Sequence, residues 1–363
     1  MEKTPQNKSF ALYRLPRSSE YKLVMEGGLA PLVLEEIKQL DEVEGFVISP
    51  FRPSAQEPIV VIQGKAEAYI PGESLLPECC YGTESPCTNE GKEAYEKDFT
   101  RFHQALSEER FGKLVLARRT MVEHDGSASA EELFLEASRR YPRMMIALVS
   151  TPYSGTWLMA TPETLLTNEG TEWHTMALAG TMQLSAEELE RFDQPVGSVG
   201  TTPQWSAKNQ TEQRLVADYL MSRLKPFSTH ITQEPPCTVR AGHLVHLRSN
   251  FTFSLSATDK LGTLLETLHP TPAVCGLPKE EAMRFILENE TEPREYYSGF
   301  MGPLSMKGET HLYVSLRCMR IHEKYYVLHA GGGLLAESVM ENEWRETVQK
   351  METMNLCIAA SRT

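Results

Sequence analysis

The run Ala330-Gly331-Gly332-Gly333-Leu334 leads into Glu343-Trp344-Arg345-Glu346-Thr347-Val348-Gln349-Lys350. The second part reads as helix. No Gly or Pro falls between Ser338 and Ser361, and Glu, Arg, Gln, Lys and Met are good helix formers. Glu343, Glu346 and Lys350 stand at i, i+3 and i+7, so they leave the helix on one face. On many helices such a stripe is a solvated face with internal ion pairs. The glycines argue for more. Three in a row between a strand pattern and a helix let backbone approach a ligand closely. Their N–H groups can face an anion near the helix start, where the dipole also favours negative charge. An anion site beside two carboxylates suggests a divalent metal bridging the protein to an acidic substrate.

Upstream of the glycines, Tyr296 to Leu304, His311 to Arg320 and Tyr325 to Ala330 alternate as strands. Earlier strands are expected at Phe10–Leu15, Gly45–Phe51, Pro58–Gln63 and from Lys113. Further strands are expected at Met144–Ser150, Thr156–Ala160, Trp173–Thr181 and Val239–Leu255. Helices are expected at Leu29–Leu40, Ser129–Tyr141, Ser206–Leu224, Leu261–Leu268 and Glu280–Glu288. Ser129 with Glu132 is a capping box. Strands outnumber helices and are often hairpin-spaced, which gives an α+β plan of large antiparallel sheets flanked by helices. No Gly-x-Gly-x-x-Gly opens a helix and no phosphate-binding Gly-Lys-Ser/Thr loop occurs, so a doubly wound nucleotide fold is disfavoured. Residues 71–92 carry Pro, Gly, Ser and three Cys without periodicity. They bound an N-terminal β-rich segment, 1–92, packed on a main domain, 93–363.

The 363 residues suffice for one large domain or two ordinary ones. A net charge of −13 argues against nucleic acid and anionic membrane surfaces. An anionic ligand would then need a local positive pocket or a metal. Seven scattered cysteines, with no signal peptide, fit a cytoplasmic location. No apolar run approaches a membrane span.

Several residue types could carry chemistry. Lys113 opens an apolar strand; it is either a snorkelling strand end or, if its amine is pocketed, a general base. Glu163, inside Thr161-Pro-Glu-Thr-Leu-Leu166, is either an edge-strand residue or the matching acid. Glu212 and Glu346 offer hard oxygen ligands suited to Mg2+. His246 is either a satisfied core histidine or a substrate contact. Arg317, in Tyr313-Val-Ser-Leu-Arg-Cys318, is either an outer-face residue or a bidentate carboxylate clamp.

Together these stretches resemble the chorismate-utilising enzymes, the anthranilate synthase component I-like family, and within them the isochorismate synthases. The motifs are Lys113-Leu-Val-Leu-Ala-Arg118, Thr161–Leu166, Leu178-Ala-Gly-Thr181, Lys208-Asn-Gln-Thr-Glu212, His269-Pro-Thr-Pro-Ala-Val-Cys-Gly276, Ser315-Leu-Arg-Cys318, Ala330–Gly333 and Glu343–Thr347. The resemblance implies that Lys113 is the base activating water at C2 of chorismate and Glu163 the acid at the C4 hydroxyl. It implies magnesium on Glu212 and Glu346 with Glu343 in support. Arg317, Tyr297, Gly331, Gly333 and Lys350 would hold substrate carboxylates. Gly180 and Thr181 would line the ring site, His246 would sit near the ring carboxylate, and Ala273 would distinguish this group from relatives bearing Thr there. Asn209 departs from an acidic residue, which implies less charge around the metal. The activity implied is reversible chorismate–isochorismate isomerisation for menaquinone or siderophore synthesis, without a glutamine amidotransferase partner. A salicylate synthase is the alternative; a non-catalytic chorismate-binding subunit would lack Lys113 or Glu163.

Overall fold

The structure, a computed structural model, describes residues 8–81, 91–185, 187–188, 203–241, 244–256, 260–305 and 308–361. Strands are numbered in chain order. One antiparallel sheet runs β15 (Gly276–Leu277), β7 (Lys113–Glu123), β19 (Tyr325–Leu334), β18 (Cys318–Ile321), β9 (Gly155–Thr161), β8 (Met145–Thr151), β1 (Phe10–Arg14), β2 (Tyr21–Met25), β6 (Ala66–Tyr69). The other runs β12 (Ser228–Gln233), β14 (Leu244–Leu255), β11 (Glu172–Gln183), β10 (Thr164–Glu169), β17 (His311–Val314), β16 (Phe300–Leu304), β4 (Gly45–Ser49), β5 (Ile59–Ile62), β3 (Leu32–Leu34). β13 (Cys237–Ala241) pairs with β14. The expected α+β plan with large antiparallel sheets is the one observed. N-terminal strands complete both sheets, β1 against β8 and β4 against β16.

Strand alternation sorts the core into layers. Ala11, Tyr13, Trp157 and Met159 of one sheet meet Phe46, Ile48, Met301 and Tyr313 of the other. Their neighbours Phe10, Leu12, Leu148 and Leu158 face outward onto α2 (Ala130–Arg140) and α6 (Met340–Ala360), touching Phe134, Met351 and Met354. The second sheet is covered by α3 (Ala207–Leu224) and α4 (Leu261–Leu268) through Val216, Leu220, Leu261 and Leu265. α1 (Gly91–Ser107) and α5 (Lys279–Asn289) close the edge over Leu114 and Leu116. The Ser129–Glu132 capping box forms as expected, and Ser206 caps α3. Among the described residues no helix is long and apolar enough to cross a membrane.

Three local expectations fail, each for a physical reason. Leu29–Leu40 is not one helix: Pro31 interrupts it, Leu32–Leu34 pairs with β5, and only Ile37–Leu40 forms a 3-10 turn. Tyr296–Leu304 becomes strand only at Phe300; before it, Glu295 and Ser298 take left-handed backbone (φ 51 and 63) and turn the chain. His311–Arg320 is two strands in different sheets. Ser315, Leu316 and Arg317 make the crossing, with Arg317 itself at φ 47. Apolar alternation continues across such a crossing, so periodicity alone does not reveal it.

Candidate functional site

The glycine run lies inside a strand rather than in a loop before a helix. Gly331, Gly332 and Gly333 are registered against Ala117, Leu116 and Val115 of β7. The run is therefore placed in β19, ahead of α6, and because the Val115 and Ala117 N–H groups point to Cys275 and Glu290, the backbone polar groups of Gly331 and Gly333 face away from β7. The run works through missing side chains. A Cβ on Gly333 would stand 2.2 Å from Glu212 Oε1 and 2.9 Å from Lys113 Cε, and one on Gly331 would meet the Tyr297 hydroxyl at 2.8 Å. On the other face, a Cβ on Gly332 would lie 3.5 Å from both Glu343 and Glu346. The bare backbone thus lets carboxylates from α3 and α6 close over the end of β19.

One cavity draws its walls from both sheets. It is lined by Glu163, Gly180, Thr181, Glu212, His246, Ala273, Tyr297, Arg317, Gly331, Gly333 and Lys350, all singled out from the sequence. Val115, Val274, Leu316 and His329 also line it and were missed. Lys113, Glu343 and Glu346 lie outside the lining. Lys113 is wholly buried, its Nζ 3.0 Å from Glu212 Oε1. That contact is within ion-pair range but poorly aligned, and Nζ makes no hydrogen bond among the described residues.

Each carboxylate of the acidic edge faces its own lysine: Glu212 faces Lys113, Glu343 faces Lys208, and Glu346 faces Lys350 at 2.6 Å. Burial pushes Glu212 up, but Lys113 and Lys208 pull it net below the usual carboxylate range. Burial raises Glu343, aided by the charge of Glu346 and opposed by Lys208. Lys350 also donates to the Gly331 carbonyl at 2.8 Å, tying α6 to β19. The described residues hold no cluster of three His, Cys, Asp or Glu already gathered for a metal. Lys208 was quoted within a motif without a role; its i,i+4 spacing to Glu212 on α3 was the available signal.

The opposite end is cationic. Arg317 is buried, and burial lowers its pKa to about 10. Its guanidinium reaches His246 Nε2 at 2.9 Å, while His246 Nδ1 faces the Gly180 carbonyl at 3.0 Å. A carbonyl can only accept, so Nδ1 carries the proton and Nε2 accepts from Arg317. His246 is thus both a satisfied histidine and a cavity residue. Gly180 sits at a bulge of β11 with φ 74, where a Cβ would press on Asn209 at 3.1 Å. The Asn209 amide points to the Thr181 carbonyl at 3.4 Å, so it supports the bulge rather than entering the carboxylate cluster.

Glu163 is buried at the entry to β10. Burial raises its carboxyl to about 8 against the pull of Lys113, Lys350 and Arg317. It is therefore largely protonated at neutral pH. The Tyr297 phenol is pushed well up by burial and stacks on His329, itself lowered to about 3 by burial and by Arg119 and Arg320.

The cavity gathers a carboxyl raised by burial, a carboxylate edge backed by a buried lysine, and an arginine with no ion-pair partner among the described residues, groups suited to acid–base chemistry on a small anion. The family described as "Chorismate binding enzyme" matches residues 79–359, and the chain belongs to that family. It is 29% identical over 243 residues to isochorismate synthase EntC of Escherichia coli (strain K12), covering 67% of this chain. The chain spans 61% of that relative's length. Among solved structures, the putative 2,3-dihydroxybenzoate-specific isochorismate synthase DhbC of Bacillus anthracis superimposes with a TM-score of 0.81 at 23% identity, over 98% of this chain and 97% of the other. Anthranilate synthase component I of Streptococcus pneumoniae TIGR4 gives 0.62 at 17% identity, over 98% and 93%. These two likenesses establish the fold.

Proposed function

We propose that the chain is an isochorismate synthase, a magnesium-dependent isomerase that exchanges the C4 hydroxyl of chorismate for one at C2. The observation that carries the reading is the pairing of Glu163, uncharged at neutral pH, with Lys113 in the same field. Water adds at C2 and gives its proton to the Lys113 amine. The ring double bonds shift, and the C4 oxygen leaves as water after taking the proton of Glu163. The overall change is an isomerisation without redox, and water as nucleophile needs no ammonia-delivering amidotransferase. Arg317, held by His246, and Tyr297, with Lys350 and the backbone at Gly331 and Gly333, bind the substrate carboxylates. Thr181 and Gly180 line the ring.

The donor chemistry fits magnesium. Glu212 and Glu346, with Glu343 beside them, are hard oxygen ligands brought over bare glycine backbone. Bound there, the ion supplies a positive charge for the ring carboxylate.

The test is product analysis with chorismate and magnesium. The purified protein should stop at a chorismate–isochorismate mixture reached from either side. Salicylate and pyruvate as main products would mean a salicylate synthase, and Ala273 would not discriminate the two. No turnover by a folded protein that still binds chorismate would indicate a non-catalytic subunit.

A further inference from the structure

Among the described residues, β7 has no strand partner beyond its first residues on the side away from β19. β15 covers Lys113 and Leu114 and ends, after which the Val115 N–H reaches the Cys275 carbonyl at 2.7 Å. Further on, side chains replace the strand. Arg294 donates from one terminal nitrogen to the Val115 carbonyl at 2.8 Å, and Glu290 Oε1 accepts from the Ala117 N–H at 2.8 Å. The two residues are joined at 2.5 and 2.7 Å, with side chains only 3% and 5% exposed. The second terminal nitrogen of Arg294 donates to the Val274 carbonyl at 2.6 Å, and Phe51 stacks under the guanidinium at 4.3 Å.

Val115 and Val274 both line the cavity. The first lies two residues from Lys113, the second beside Ala273. We propose that the Glu290–Arg294 pair is a positioning device that sets the gap between the wall carrying Lys113 and the wall carrying Ala273. Only a planar guanidinium can serve one carboxylate and two carbonyls in separate walls at once. A lysine keeps the charge beside Glu290 but is a single point and loses a wall. Neither residue reaches the cavity, so the pair acts through Lys113 and Ala273.

The test is Arg294→Lys, with Arg14→Lys as control. Arg14 is also buried and holds the Tyr141, Pro142 and Met144 carbonyls at 2.8, 3.0 and 3.0 Å, away from the cavity lining. Both variants should lower Tm. Only Arg294→Lys should speed amide hydrogen exchange at Val115 and Ala117. Only it should lower kcat/KM for chorismate, by about tenfold or more, well below its Tm. The kinetic arm rests on the function proposed above; the exchange arm does not. Wild-type protein inert toward chorismate would sink that function and leave exchange to decide the clamp. Wild-type exchange at Val115 and Ala117 in Arg294→Lys overturns the inference. So do altered exchange with unchanged kinetics in an active enzyme, and equal kinetic losses in both variants. If Arg294→Lys does not fold, Glu290→Gln keeps an acceptor for the Ala117 N–H but turns the oxygen that accepts from Arg294 Nε into an N–H donor, so it loosens the pair and is read by the same two arms.

Discussion

At the α6 side of β19 three carboxylates each face a lysine, whereas at the sheet crossing Arg317 faces no carboxylate among the described residues. Both regions are buried and charged, yet they differ in what they lack. The acidic edge is internally neutralised, so under the proposed function a cation there would compete with lysines. Arg317 has no carboxylate at ion-pair distance among the described residues, so under the proposed function an anion would bind there without displacing one. Burial without a paired counter-ion is costly, and under the proposed function a substrate carboxylate would relieve that cost. The left-handed backbone of Arg317 adds strain on the order of 1–3 kcal/mol, which the surrounding sheets hold in place.

The largest effects are expected between these regions, at the proposed base Lys113 and acid Glu163. Lys113→Gln and Glu163→Gln should each lower turnover roughly 10²–10⁴-fold. The double variant should be little worse than either single one, because both transfers serve one displacement. Reverse turnover from isochorismate is the sharper measurement, since Lys113 must return its proton there. Near-normal reverse rates in Lys113→Gln would remove it as the base.

Arg317→Ala should come next, raising KM for chorismate by about 2–4 kcal/mol equivalent while the protein stays folded. An unchanged KM would erase the contrast, because the buried cation would then have no anion to hold. A smaller effect follows from Glu163. Its acid form is present below about 8, so forward turnover should fall as pH rises through that value. The stability sign is opposite to that of a salt-bridged carboxylate. The folded state holds a proton that the unfolded chain has released, so stability falls as pH climbs from the ordinary carboxylate range toward 8. Glu163→Gln should flatten that slope in thermal melts, and an unaltered slope would mean that Glu163 is ionised at neutral pH.

What the sequence made legible follows the range of the interactions. The Glu343–Glu346–Lys350 stripe and the Ser129–Glu132 capping box are set within a helical turn or two, and both stand as read. The motifs at Glu163, Glu212 and Gly180 meet at one cavity, with Lys113 behind Glu212. Arg317 was expected within a continuous strand. Nothing local marks the place where a chain leaves one sheet for another, because the apolar alternation is kept. That the glycines at 331–333 lie inside a strand was hidden for a related reason: pairing with β7 is decided by residues more than two hundred positions away. The Glu290–Arg294 pair, whose carbonyl partners come from two distant segments, left no trace in spacing beyond an ordinary i,i+4 pair.

The smallest effect probes how the acidic edge is guarded. Lys208 is partly exposed, and its ion pair holds Glu343, whose side chain is almost fully buried. Under the proposed function, magnesium and Lys208 would compete for that carboxylate. Lys208→Gln removes the competitor and one nearby positive charge, and both changes favour the ion. Calorimetric titration of substrate-free protein should therefore show tighter magnesium binding, by at most about tenfold or ~1.4 kcal/mol. The gain is small because Glu212 and Glu346 keep their own lysines. Weaker binding would mean that Lys208 instead fixes Glu343 in a binding-ready rotamer. The acidic edge would then be assembled by its lysines rather than guarded by them, and its contrast with the Arg317 end would narrow to a difference in sign.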